Sequence, residues 1–267
     1  MTLAATVFSA LSLLAPPPTL IAAGDIAACN SRYDEQTAAL VARIPGTVAV
    51  LGDAVYERGT ADEFRRCYSW RRFRGRTRAA LGNHEYGTGN ADAAVAYFGL
   101  PARGYYSYRL GSWHVVVLNT NCRPAGGCGN GSPQQRWLER ELARVGATCT
   151  VAYMHHPRWS SGLHHSDETI DPLWRTLSRG GVDIALGGHD HHYERFAPFE
   201  GIRSFVVGTG GRSLYPVIFR LRQPRSVVVS WRTYGVLKLT LRPGRYDWRF
   251  VPVQPSSFRD AGSGTCR

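Results

Sequence analysis

Short unbroken apolar runs recur along the chain, and most of them stop at a small or polar bend. Thr19–Ala23, Val48–Leu51, Arg78–Leu81, Val151–Met154 and Val182–Leu186 are such runs, and runs of this length between breakers read as buried strands. The bends that follow are Gly24-Asp25, Gly52-Asp53-Ala54-Val55-Tyr56, Gly82-Asn83-His84-Glu85, His155-His156-Pro157 and Gly187-Gly188-His189-Asp190-His191. Tyr33 to Ile44 places apolar residues at helical spacing and ends at Pro45-Gly46, and a second helix is expected around Ala61 to Tyr68. Strand, loop and helix in alternation predict parallel pairing in a layered α/β domain.

Later segments carry other signals. Tyr105–Leu110 and Trp113–Leu118 alternate around Gly111-Ser112 and predict a hairpin. Ser132-Pro133-Gln134-Gln135 has the residues of a capping box with Pro at the first helical position, and Trp137, Leu138, Leu142 and Val145 give the helix a core face. Ser226–Trp231, Gly235–Leu241 and Tyr246–Val251 read as antiparallel strands, expected to extend the second sheet.

The five bends have a chemistry in common. Ligands of open α/β sheets bind at the carboxyl ends of strands, and here each such end carries Asp, Asn or His. His189 and His191, two apart after a strand, point the same way. Carboxylate, amide, phenol and imidazole donors without thiolate suit Fe, Zn or Mn rather than a structural zinc cage. Gly208-Thr209-Gly210-Gly211 lacks the Lys-Ser/Thr of a phosphate-binding P-loop and reads as a turn beneath the metal site.

In this order, the blocks Gly-Asp, Gly-Asp-x-x-Tyr, Gly-Asn-His-Glu, Met-His and Gly-His-x-His resemble those of the calcineurin-like metallophosphoesterases. Ala27 stands where most of that superfamily has a first-block His, and Tyr56 follows Asp53 at the Gly-Asp-x-x-Tyr spacing; both features resemble the purple acid phosphatases. Pro157, Trp159, His164-His165 and Glu168 after Met154-His155 extend the likeness. The resemblance implies a four-layer α/β/β/α sandwich of two mixed sheets flanked by helices. It implies two metal ions, Fe(III) with Fe, Zn or Mn: one held by Asp25, Asp53, Tyr56 and His191, the other by Asp53, Asn83, His155 and His189, with Asp53 as the bridge. His84 would help protonate the leaving group, and His164 and His165 would bind or assist the phosphate. The reaction implied is hydrolysis of a small phosphomonoester, with a phosphodiesterase or nucleotidase on the same scaffold, or a non-catalytic relic, as alternatives.

Composition changes the picture in two places. The formal charge is +12, from 32 basic and 20 acidic residues, which in general raises nucleic-acid binding. Only Lys238 is a lysine, and the arginines are scattered except for Arg71, Arg72, Arg74, Arg76 and Arg78; no specific nucleic-acid partner is expected. Six cysteines, none in a Cys-x-x-Cys pair, predict disulfides and an oxidising compartment. Cys122 with Cys128, flanking a Gly-rich loop, is the first expected bridge, and Cys29 with Cys67 the second. Met1 to Ala15 contains an apolar stretch too short to span a bilayer and, although no basic residue precedes Arg32, reads as a secretion signal. The expected division is therefore 1–18 as signal peptide or disordered N-terminus and 19–267 as a single domain, secreted or extracytoplasmic, without a membrane span.

Overall fold

The computed structural model describes residues 16–145, 149–217, 220 and 222–267; the apolar stretch up to Ala15 lies outside them. Two large mixed sheets form the middle of the molecule. In spatial order the first contains Ala261–Thr265, Arg245–Pro252, Gly235–Arg242, Thr19–Ala23, Thr47–Leu51 and Thr77–Ala80. The second contains Ser226–Ser230, Tyr193–Phe196, Arg203–Val207, Ile184–Gly187, Cys149–Tyr153, Trp113–Val117 and Tyr106–Leu110. Thr19–Ala23, Thr47–Leu51 and Thr77–Ala80 run parallel as neighbours, as do Trp113–Val117, Cys149–Tyr153 and Ile184–Gly187.

The strand period of two decides the layers. In the second sheet Val115, Val117, Val151, Tyr153, Ile184 and Leu186 face the first sheet's side chains, Leu20, Val48 and Val50 among them, in one large core. The residues between them, Val116, Ala152 and Ala185, belong to a separate cluster with Leu138, Leu173, Trp174 and Leu177 of the helices Pro133–Val145 and Asp171–Arg179. On the far side of the first sheet, helix Tyr33–Ala42 brings Ala38 and Val41 to the core beside Trp70 and Phe73. The result is the expected α/β/β/α order. No helix among the described residues is long and apolar enough to cross a membrane.

Several expectations need correction. Of the three late strands, Ser226–Ser230 joins the second sheet, but Gly235–Arg242 and Arg245–Pro252 join the first, where Gly235–Arg242 pairs antiparallel with Thr19–Ala23. That choice is made by a partner more than 200 residues away in the chain, which no local pattern encodes. Ser132 does cap its helix by accepting the Gln135 N–H at 3.2 Å, but the Gln135 side chain turns to the Gly131 N–H rather than back to Ser132. The arginine cluster is a short 3₁₀ segment, Ser69–Arg76, leading into Thr77–Ala80, with Arg71, Arg72, Arg74 and Arg78 exposed. Arg76 donates to the carbonyls of Val41, Ile44 and Gly46, satisfying the open C-terminal end of helix Tyr33–Ala42. Arg72, Arg74 and Arg78 lie over Phe73, Tyr97 and Tyr108.

All six cysteines are paired: Cys29 with Cys67, Cys122 with Cys128, and Cys149 with Cys266. The third bridge fastens the start of a central strand in the second sheet to the residue after an edge strand of the first.

Candidate metal centre

Five strand ends deliver their polar residues to one place. Asp25, Asp53 and Asn83 follow three adjacent strands of the first sheet, and His155, His189 and His191 follow two adjacent strands of the second. The loops hold each other directly: the Asp25 N–H donates to Gly52 O at 3.2 Å and the Gly188 N–H to His155 O at 2.9 Å. Asp25, Asp53 and His189 have φ values of 59°, 48° and 69°. Left-handed backbone is uncommon outside glycine and collects at functional sites. Glycine is needed beside them for room: a Cβ on Gly82 would fall on the Asp53 carboxylate, and one on Gly52 against the His155 ring.

The donor atoms form a continuous set. The Tyr56 hydroxyl is 2.9 Å from Asp25 Oδ1, 3.0 Å from Asp53 Oδ2 and 3.1 Å from His191 Nε2. His155 Nε2 is 3.0 Å from Asn83 Oδ1, 3.1 Å from His189 Nδ1 and 3.3 Å from Asp53 Oδ2. All seven residues expected to hold metal therefore meet, with the Asp53 carboxylate touching both halves. The far nitrogen of each of two rings is occupied: His155 Nδ1 donates to Leu51 O and His191 Nδ1 to Ser213 O, both at 2.8 Å. A carbonyl only accepts, so each Nδ1 carries a proton and each Nε2 is turned into the cluster, the arrangement seen behind metal-ligating imidazoles.

Charge in the cluster is poorly balanced by the chain. Asp25 and Asp53 are buried, and among the described residues no Lys or Arg pairs with either. Burial pushes the Asp25 carboxyl up to about 8, against the pull of His155. Burial works the same way on Asp53, but the charge and hydrogen bond of His155 outweigh it and hold this carboxyl below the usual range. His155 is the reciprocal case: burial disfavours its charge, yet Asp53 raises it to about 9. Burial drives His189 far below its ordinary value and His191 down to about 4. Burial and the two carboxylates raise the Tyr56 phenol well above its usual value. Cations at this point would lower all of these values, opposing the rise at Asp25, His155 and Tyr56 and adding to the fall at Asp53, His189 and His191, because a bound ion is the largest local charge.

The other expected residues lie around the cluster. The His84 N–H donates to Asp53 Oδ1 at 2.9 Å, its Nδ1 donates to Glu57 O at 2.6 Å, and its Nε2 is left 3.9 Å from Asp53 Oδ2. The exposed His164 places its ring 4.5 Å from that of His189. His165 is exposed, with φ 64°, and none of the ring contacts among the described residues joins it to the donors. His156 stands close to His155 and His189, its Nδ1 at 2.8 Å from Thr120 Oγ1.

Three further residues shape the centre. Glu85 is buried and accepts the N–H groups of Gly82, Asp53 and Ala54 at 2.6, 2.9 and 2.8 Å, locking two ligand loops together. Burial, then the Asp53 charge, raises its carboxyl to about 7. An amide at this position cannot accept at both ends, so Glu85→Gln should destabilise the protein by about 2–3 kcal/mol, read as a lower denaturant midpoint; an unchanged midpoint would show that the loops hold without it. Asp190, between the two histidines, accepts the Ser160 hydroxyl, the His164 N–H at 3.0 Å and the Tyr215 hydroxyl at 3.1 Å. Tyr215 also stacks on His191, with ring centroids 4.7 Å apart.

A model of the calcineurin-like phosphoesterase family matches residues 18–193, a span that contains every donor described above. The chain belongs to that family. The chain is 31% identical over 202 residues to an uncharacterized protein of Mycobacterium tuberculosis, covering 63% of this chain and 37% of that one. It is 33% identical over 109 residues to the Fe(3+)-Zn(2+) purple acid phosphatase 12 of Arabidopsis thaliana, covering 39% of this chain and 22% of that one. The purple acid phosphatase of yellow lupin shares its fold, with a TM-score of 0.74 at 19% identity over 93% of this chain and 53% of that one. The chain spans well under half the length of the curated relatives it matches.

Proposed function

We propose that the chain is an extracytoplasmic phosphomonoesterase of the purple acid phosphatase type, working with two metal ions. The observation that carries this reading is the cluster of seven hard and borderline donors around a shared Asp53, with buried carboxylates that pair with no Lys or Arg among the described residues. That donor set fits two ions: Asp25, Asp53, Tyr56 and His191 would hold one, and Asp53, Asn83, His155 and His189 the other. Likeness to a relative described as Fe(3+)-Zn(2+) supports iron with zinc, and an anionic phenolate favours the more highly charged ion. When bound, such a pair activates water, polarises phosphoryl oxygens and holds attacking and leaving oxygens in line.

The chain's own groups supply the rest. Glu57 O fixes the proton of His84 on Nδ1, which leaves Nε2 beside Asp53 as the atom that holds or delivers a proton to the leaving oxygen, a contribution of about 10²–10⁴ in rate. His164, held through its N–H by Asp190 and by its ring against His189, is placed to meet the phosphate. His165 would have to turn inward to share that task. Three disulfides support an extracytoplasmic location. Purified protein should hydrolyse p-nitrophenyl phosphate faster than bis(p-nitrophenyl) phosphate and contain two metal equivalents; a preference for the diester would move it to the phosphodiesterases on this scaffold.

Tyr56 gives a separate test by colour. Phenolate bound to Fe(III) absorbs visible light by charge transfer, so the oxidised protein should be violet to pink and Tyr56→Phe should bleach it. A colourless enzyme, fully active with zinc or manganese and unaffected by Tyr56→Phe, would remove the phenol from the ligand set.

A further inference from the structure

We propose that Arg212 is a specificity residue, which takes a second anionic group carried on the leaving side of the substrate. The inference rests on the phosphoesterase reading and names the class of ester favoured: one whose leaving group bears a carboxylate or another phosphate. The Arg212 backbone is anchored at the centre, its N–H donating to Asp25 O at 2.8 Å. Its guanidinium carbon lies 4.8 Å from the centre of the Tyr56 ring and its Nη2 2.8 Å from Glu57 Oε1.

Two features make this more than a surface ion pair. First, the same Glu57 that meets Arg212 through its carboxylate holds His84 through its carbonyl, and the His84 ring also lies against Tyr56, 4.2 Å between centroids. Arg212 and His84 thus both lie against Tyr56 and both meet Glu57, and His84 is the residue assigned to the leaving group. A charge on that group arrives at Arg212. Secondly, the pair is easily exchanged. The Arg212 and Glu57 side chains are 24% and 58% exposed, and ion pairs this open to water contribute little. A phosphate or carboxylate offers a guanidinium a two-pronged, charge-assisted contact, so a substrate anion can take the place of Glu57 without opening the fold. The competing explanation is that Arg212 only packs on Tyr56, in which case leaving-group charge is irrelevant to it.

The test uses two non-hydrolysable ligands that differ by one carboxylate, ethylphosphonate and 3-phosphonopropionate, titrated calorimetrically into the iron- and zinc-loaded protein. Wild type should bind 3-phosphonopropionate about tenfold more tightly. Arg212→Gln should bring that ratio close to one, Arg212→Lys should keep part of it, and Glu57→Gln, which removes the competing carboxylate, should widen it. A wild-type ratio of one, a ratio unchanged by Arg212→Gln, or a ratio that Glu57→Gln narrows would each overturn the proposal. Hydrolysis of p-nitrophenyl phosphate by the wild type is scored separately, so the loss of the phosphatase reading and the loss of this one are different results.

Discussion

Asp53→Asn should lower kcat/KM on p-nitrophenyl phosphate by about 10³-fold and leave less than two metal equivalents on the purified protein. Asp53 is the carboxylate that touches both halves of the donor set, 3.0 Å from the Tyr56 hydroxyl and 3.3 Å from His155 Nε2. Removing one preorganised electrostatic group from a reaction centre costs about 10²–10³ in rate, and here one substitution weakens two ion sites together. Chelation should lower the Tm of wild type, because the stabilisation that metal gives the folded state is lost; the Asn variant, which holds less metal to begin with, should fall by less. Full activity with full metal content in Asp53→Asn would refute the bridging role.

Replacing Cys149 and Cys266 by alanine should cost about 4–5 kcal/mol. The bridge closes a sequence separation of 117 residues, and the loss of chain entropy in the unfolded state grows with the logarithm of that length. The Cys122–Cys128 bridge, with a separation of 6, should contribute about 2 kcal/mol on the same scale. Against a total stability of about 5–15 kcal/mol, loss of the long bridge is enough to unfold much of the population at modest temperature. Denaturant melts of the double variant, beside wild type with and without reductant, give the number. A shift no larger than that for the short bridge would mean that the unfolded chain gains nothing from release of the tie.

The first half of the fold and the donors themselves were legible because both are local. Thr19–Ala23 and Thr47–Leu51 are unbroken apolar runs, each ending within two residues at a polar group, and strand ends are where such groups collect. What escaped was set by distance in the chain. Ala261–Thr265 is a strand made of Ala, Gly, Ser and Thr, which becomes one only by pairing with Arg245–Pro252. Helix Asp171–Arg179 follows a short 3₁₀ turn, Glu168–Ile170, so its start is blurred. Glu85 sits inside a recognised block, yet that it binds three backbone N–H groups of two loops is visible only once the loops are side by side. Asp190 is only the x of Gly-His-x-His in the sequence, although it secures the Ser160 and His164 loop and Tyr215.

The division of the donors between sheets has a mechanical consequence. Asp25, Asp53 and Asn83 ride on one sheet and His155, His189 and His191 on the other, so the proposed ions would act as rivets across the seam between two plates. A plate that slid by a fraction of an ångström would carry one group of donors with it and leave the other behind. Affinity for metal then becomes a gauge of how the plates are aligned, sensitive to side chains such as Val117, Tyr153 and Leu186 that fill the space between them and never approach the substrate.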